Sequence, residues 1–207
     1  MKLAVHNITG KETTKKVDLS NDIFGIEPND HAIYLEVRQY LAAQRTGTHK
    51  TKGRSEVKGS RRKIRKQKGS GAARVGDIKN PLFRGGGRVF GPKPRDYSFK
   101  VNKKVKRLAR KSALSQKAKD MSIIILEDFT LDKPNTKSYC DFLSNFDLLD
   151  NKTLLVLAES NKNIFLSSRN LKRSKVVLAS ELNTYDVMNA GKLMIMESSI
   201  SEIEKNF

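Results

Sequence analysis

Between Arg45 and Arg95 runs a stretch that has no means of building a core. Seventeen of its fifty-one residues are Lys or Arg, against two acids, Glu56 and Asp77. It also holds ten of the chain's thirteen glycines and three of its five prolines. Its large apolar residues (Val57, Ile64, Val75, Ile78, Leu82, Phe83, Val89 and Phe90) follow neither the helical nor the strand period. Burial on that scale does not offset the entropy of ordering so long a segment. The stretch must order on something outside itself, and its charge makes that something a polyanion.

The chain's formal net charge of +19 is segregated. Residues 45–119 carry 26 basic and 3 acidic side chains, a net of +23, while the rest carries 15 and 19, a net of −4. A slightly acidic body with a strongly basic appendage points to nucleic acid or an anionic membrane. The membrane is the weaker choice. The longest apolar run, Ile123–Leu126, is far too short to span a bilayer. The basic stretch also lacks the apolar helical face of an interfacial anchor. The start of the chain, Met1-Lys2-Leu3-Ala4-Val5, turns polar at His6-Asn7, unlike a signal peptide. A single cysteine, Cys140, excludes an internal disulfide. These features fit the cytoplasm.

Outside the basic stretch the pattern is regular. Residues 2–5 and 15–19 alternate weakly around Thr9-Gly10-Lys11, which predicts a short hairpin or two irregular strands. Pro28-Asn29-Asp30 opens a helix over about 30–45, with Ile33, Val37, Tyr40 and Leu41 at helical spacing. Asn102 is an expected N-cap for a helix reaching about Lys119. Val105, Leu108, Ala109, Ala113 and Leu114 mark one face of it. Lys103, Lys104, Lys106, Arg107, Arg110 and Lys111 crowd the rest with no acid among them, which favours a phosphate-facing surface. Apolar strands are predicted at 122–126, 154–157, 176–179 and 193–196. Between them come a helix capped by Asn135, a short one around Ile164-Phe165-Leu166, and one over Thr184–Ala190 stopped by Gly191 at a left-handed C′ position. Ser199-Ile200-Ser201-Glu202 fits a capping box for a last helix.

Fully apolar strands alternating with helices predict an α/β fold, its mostly parallel sheet covered by helices on both faces. The expected globular domain is 1–46 with 97–207. The long irregular basic loop, 47–96, is inserted between the first two helices. As a hairpin of about 24 residues per arm it would reach up to roughly 80 Å. It must turn near its middle, between Arg61 and Arg74, where Gly69-Ser70-Gly71 supplies flexible residues.

A parallel sheet invites a nucleotide-dependent enzyme, but the motifs fail. Gly85-Gly86-Gly87-Arg88-Val89-Phe90-Gly91 contains no GxGxxG and does not join a strand to a helix. Gly71–Gly76 is followed by Asp77, so there is no phosphate-binding GxxxxGK[ST] loop. His6, His31 and His49 lack zinc spacing, so no metal site is expected. Glu127-Asp128 sits at a strand end, but adjacent strand residues face opposite sides, which excludes paired acid–base work. No catalytic constellation and no cofactor are expected.

The basic stretch suits RNA. Arginine offers bidentate contacts to phosphate and lysine a point charge. Phe83, Phe90 and Tyr97 are candidates for stacking on splayed bases. A DNA-binding regulator, the other nucleic-acid reading, more often presents a defined helix to the major groove, and none is predicted here. The candidate RNA contacts are Arg45, His49, Lys50, Lys52, Arg54, Lys58, Arg61, Arg62, Lys63, Arg65, Lys66, Lys68, Arg74, Lys79, Arg84, Arg88, Lys93, Arg95, Lys103, Lys104 and Arg107.

Several segments resemble one family. Gly47-Thr48-His49-Lys50-Thr51-Lys52, Arg54-Ser55-Glu56-Val57, Gln67-Lys68-Gly69-Ser70-Gly71, Arg84-Gly85-Gly86-Gly87 and Phe90–Tyr97 are similar to the extended loop of the L-four family of large-subunit ribosomal proteins. Asn102-Lys103-Lys104-Val105 resembles the start of the helix that follows it. The resemblance implies a globular domain on the solvent side of the large subunit, a loop threaded into large-subunit ribosomal RNA, and a role early in assembly. It implies that the tip, Arg65, Lys66, Gln67, Lys68 and Gly69, lines the peptide exit tunnel near ribosomal protein L-twenty-two and meets the nascent polypeptide. Some members repress their own operon. Two positions depart from the bacterial pattern: Ile64-Arg65-Lys66 stands where Pro-Trp-Arg is usual, and Ala72 where an arginine is usual.

An insertion that orders only on a partner is open to protease in the free chain. Limited trypsin treatment is expected to cut between residues 47 and 95 and to leave two fragments held together by the sheet. Cleavage spread evenly along the chain contradicts this.

Overall fold

A computed structural model describes residues 1–206. The chain divides into two compact units, Met1–Leu41 with the chain from Lys100 onward, and Ala42–Phe99. The first unit is a six-stranded sheet flanked by helices. Its strands are β1 (Lys2–His6), β2 (Glu12–Asp18), β3 (Ile123–Leu126), β4 (Thr153–Leu157), β5 (Ser174–Leu178) and β6 (Lys192–Met196). The helices are α1 (Asn21–Phe24), α2 (Asp30–Ala43), α3 (Lys103–Lys119), α4 (Thr136–Ser144), α5 (Lys162–Ser168), α6 (Thr184–Asn189) and α7 (Glu197–Asn206).

The strand order is β2-β1-β3-β6-β4-β5. Only β1 and β2 pair antiparallel, Lys2 opposite Asp18 and Leu3 opposite Val17. All other pairs are parallel. Every residue of β4 is buried, because the strand is enclosed on both faces and both edges. Alternation along the strands then sorts the side chains into two cores. Ile123, Ile125, Leu154, Val156, Leu193 and Ile195 pack with residues of α1, α2, α3, α6 and α7 on one side. Leu126, Leu155, Leu157, Met194 and Met196 pack with Tyr139, Phe142 and Leu143 of α4 and Ile164 of α5 on the other. The α/β architecture, with helices on both faces, is therefore as the apolar runs predict.

The caps show where local rules decide the ends. The side-chain carbonyls of Asn135, Asn161 and Asn183 accept N–H bonds from Lys137, Asn163 and Asp186 at 2.9, 3.0 and 2.8 Å. Asn102 precedes α3 as expected but makes no side-chain cap bond. Two expectations are corrected. Gly191 is not left-handed. Helix α6 ends instead on Ala190 in an extended conformation, and the Gly191 N–H donates to the Lys152 carbonyl at 2.7 Å to lead into β6. Ser199 does not open a capping box. Helix α7 starts two residues earlier, at Glu197, and its exposed N–H at Ser198 is taken by Asp128 Oδ1 at 3.3 Å. Ser199 is buried, with its hydroxyl on the Met196 carbonyl at 2.6 Å.

Helix α1 is a single turn, too short for periodicity to reveal. Because of it, the long irregular segment falls between the second and third helices rather than the first two.

Both cores draw only on the first unit. The second unit's ends meet at a backbone bond from the Arg95 N–H to the Gly47 carbonyl, 3.2 Å, so joining Gly47 to Asp96 closes a gap that is already narrow. Deleting residues 48–95 is expected to leave one cooperative unfolding transition of similar free energy. Leu155→Ala is expected to cost about 2–5 kcal/mol in either background. Loss of cooperativity in the deletion variant, followed by calorimetry or denaturant titration, would place core residues in the second unit.

Candidate nucleic-acid interface

The second unit has no helix or strand after the end of α2. What order it has comes from sparse cross-links between two arms. The Thr51 N–H donates to the Pro92 carbonyl at 3.1 Å, Arg88 to Lys52 at 3.0 Å, and Ile64 to Gly76 at 3.0 Å. Such close backbone approach requires glycine. A Cβ on Gly87 would lie 2.3 Å from the Arg54 nitrogen. Beyond the Ile64–Gly76 bond, residues 65–75 form no backbone–backbone hydrogen bond. All of 65–74 is exposed, with Gly69 and Gly71 left-handed at φ 80° and 61°.

The acids in this unit are each engaged. Glu56 takes Lys50 at 2.5 Å and the Gly53 N–H at 3.1 Å. The Lys50 bond, then that of Gly53, holds its carboxyl below the usual range. Asp77 takes Arg54 at 2.9 Å. Asp96 accepts the Ser98 N–H at 2.9 Å and hydroxyl at 2.8 Å, which lowers its pKa in the same sense. Two ion pairs neutralise little of so large a charge, and water and salt screen such pairs near the surface.

The expected contacts divide cleanly. Twenty of the twenty-one are exposed. Lys79 is the exception, 6% exposed, with its side chain beside Gly59. It does not present its ammonium as the others do. Lys63 bonds Gln67 within the tip. On α3, Lys103, Lys104 and Arg107 are exposed, but the helix is not free of acid partners. The buried Glu36 of α2 accepts from Arg110 Nε at 3.4 Å and from the Thr184 hydroxyl. Arg110 is thus spent on joining α2, α3 and α6.

The aromatic residues also divide. Phe90 is fully exposed, and Phe83 is half-buried. Tyr97 is engaged within the chain. The guanidinium carbon of Arg45 lies 4.0 Å from its ring centroid and that of Arg95 4.6 Å, and its hydroxyl is 3.1 Å from His49 Nε2. Sequence reasoning missed this cluster because its members stand at opposite ends of the insertion.

At the carboxyl ends of β3, β4 and β6 a cleft of about 360 Å³ is lined by Asp128, Phe129, Leu157, Glu159, Asn161, Met196 and Ser198 among others. Two of its polar side chains are occupied locally. Asp128 caps α7, and Asn161 Oδ1 accepts the N–H groups of Asn163 and Ile164. Glu127 lies 3.6 Å from Lys15. Among the described residues no group of His, Cys, Asp and Glu is arranged to hold a metal.

A model of the family described as "Ribosomal protein L4/L1 family" matches residues 17–206. The chain belongs to this family. A protein of Parabacteroides distasonis named "Large ribosomal subunit protein uL4" is 59% identical over 207 residues, covering 100% of this chain and 99% of the relative. Proteins of the same name from Flavobacterium psychrophilum and Bacteroides fragilis are 59% and 56% identical over 206 and 204 residues. The matched range takes in residues of both units, the cationic insertion included. No helix among the described residues is long and apolar enough to cross a membrane.

Proposed function

We propose that this protein is a structural constituent of the large ribosomal subunit in the cytoplasm, with no catalytic activity of its own. It binds large-subunit ribosomal RNA through residues 42–99 and the first turns of α3, and it enters assembly early. The observation that carries this reading is the pairing of a core-bearing unit with an insertion whose cations are exposed and largely unneutralised. Phosphate contacts supply the enthalpic and counterion-release terms that the insertion cannot supply for itself. The names of the relatives agree.

The tip carries the finer part of the reading. Arg65, Lys66, Gln67, Lys68 and Gly69 belong to the exposed end of the unit, where no backbone–backbone hydrogen bond forms. We assign them to the wall of the peptide exit tunnel, next to protein L-twenty-two and within reach of the nascent polypeptide. The other cations lie on RNA.

Tagged chain is expected to co-sediment with large subunits through a high-salt wash. A photo-crosslinker at position 66 in those subunits is expected to label a stalled, radiolabelled nascent chain. Loss of the chain from the subunit in the wash overturns the ribosomal reading. Retention with crosslinks to RNA alone overturns only the tunnel assignment.

A further inference from the structure

At the neck of the second unit, two arginines fifty positions apart in sequence share one aromatic ring. Neither Arg45 nor Arg95 forms an ion pair among the described residues. Asp96, the neighbouring acid, is turned to Ser98. The two guanidinium carbons are closer together than the sum of their distances to the ring centroid. That is about one Debye length, roughly 8 Å at physiological salt, so part of their repulsion survives screening. The ring's quadrupole attracts both cations and offsets part of that repulsion.

The ring is itself held. Its hydroxyl meets His49 at 3.1 Å. Gly47, left-handed at φ 61°, lets the backbone come in beneath it: a Cβ there would lie 2.1 Å from the Arg95 carbonyl oxygen and 2.9 Å from Tyr97 Cε2. A guanidinium lying on an aromatic face keeps its N–H donors in its own plane, where they remain free for oxyanions. Two such forks, exposed and lacking an acid, are a preassembled receptor for phosphate.

We propose that Arg45 and Arg95 form a two-guanidinium clamp for the RNA phosphate backbone at the neck, with Tyr97 as the positioning residue that racks them. This rests on the reading that the second unit binds RNA, and it names the group that its neck takes. Tyr97 acts through the arginines and does not stack on a base.

The test is the salt dependence of binding between the full chain and transcribed large-subunit ribosomal RNA. The chains compared are the parent, Tyr97→Leu, Tyr97→Phe, the pair Arg45→Gln/Arg95→Gln, and Tyr97→Leu added to that pair. The pair is expected to flatten the slope of log K against log salt by about 0.7–1.8, the value of one to two phosphates. Tyr97→Leu should flatten it by a similar amount and add nothing on the pair's background, the signature of residues acting as a unit. Tyr97→Phe, which keeps the ring, should recover most of the loss. A parent-like slope in the pair or in Tyr97→Leu overturns the clamp. So does a Tyr97→Leu loss that is equally large with the arginines already gone, since that marks a merely structural ring. A flat slope in the parent itself overturns the RNA reading first, and the clamp with it.

Discussion

Unneutralised like charge on a segment without a core is the constraint on which the rest of this protein depends. Residues 45–119 hold a net +23, and the two ion pairs inside the insertion relieve little of it. Repulsion disfavours packing the arms' cations against one another. It also forbids the insertion from folding by collapse, so the stability of the chain must reside elsewhere. The sheet supplies it, with two cores built from its opposite faces and closed by helices. The division of labour follows: one unit carries both cores, and the other carries the exposed cations.

The same constraint explains the glycines. An arm that has no side-chain core can be tied to its neighbour only through the backbone, and this needs positions where a Cβ would collide. Gly87 against Arg54 and Gly47 against Arg95 are such positions. The backbone cross-links are few, and they end at Ile64–Gly76, which leaves the tip without backbone ties.

The strands were legible because burial on both faces leaves no polar alternation to confuse them. Ile123–Leu126 is apolar throughout and forms β3 as it stands. Four apolar residues of β4 mark the strand to within one position of its start. Endings were less legible, since the groups that decide them are distant in sequence. Asp128 caps α7 from seventy positions away, and Lys152 takes the N–H of Gly191, so neither Ser199 nor Gly191 has the local role its neighbours suggest. The pairing of Arg110 with Glu36 was hidden for the same reason. At the interface, residue type alone identified the exposed cations. It could not reveal that Lys79 is enclosed, or that Tyr97 is already covered by Arg45 and Arg95.

Amide hydrogen exchange, read segment by segment, tests most directly whether the insertion is ordered by RNA and not by itself. The account predicts slow exchange in β4 whether or not RNA is present. Amides 65–75 should exchange at nearly unfolded-chain rates in the free protein and become protected in complex with large-subunit ribosomal RNA. Protection of those amides already in the free chain, unchanged when RNA is added, would contradict it.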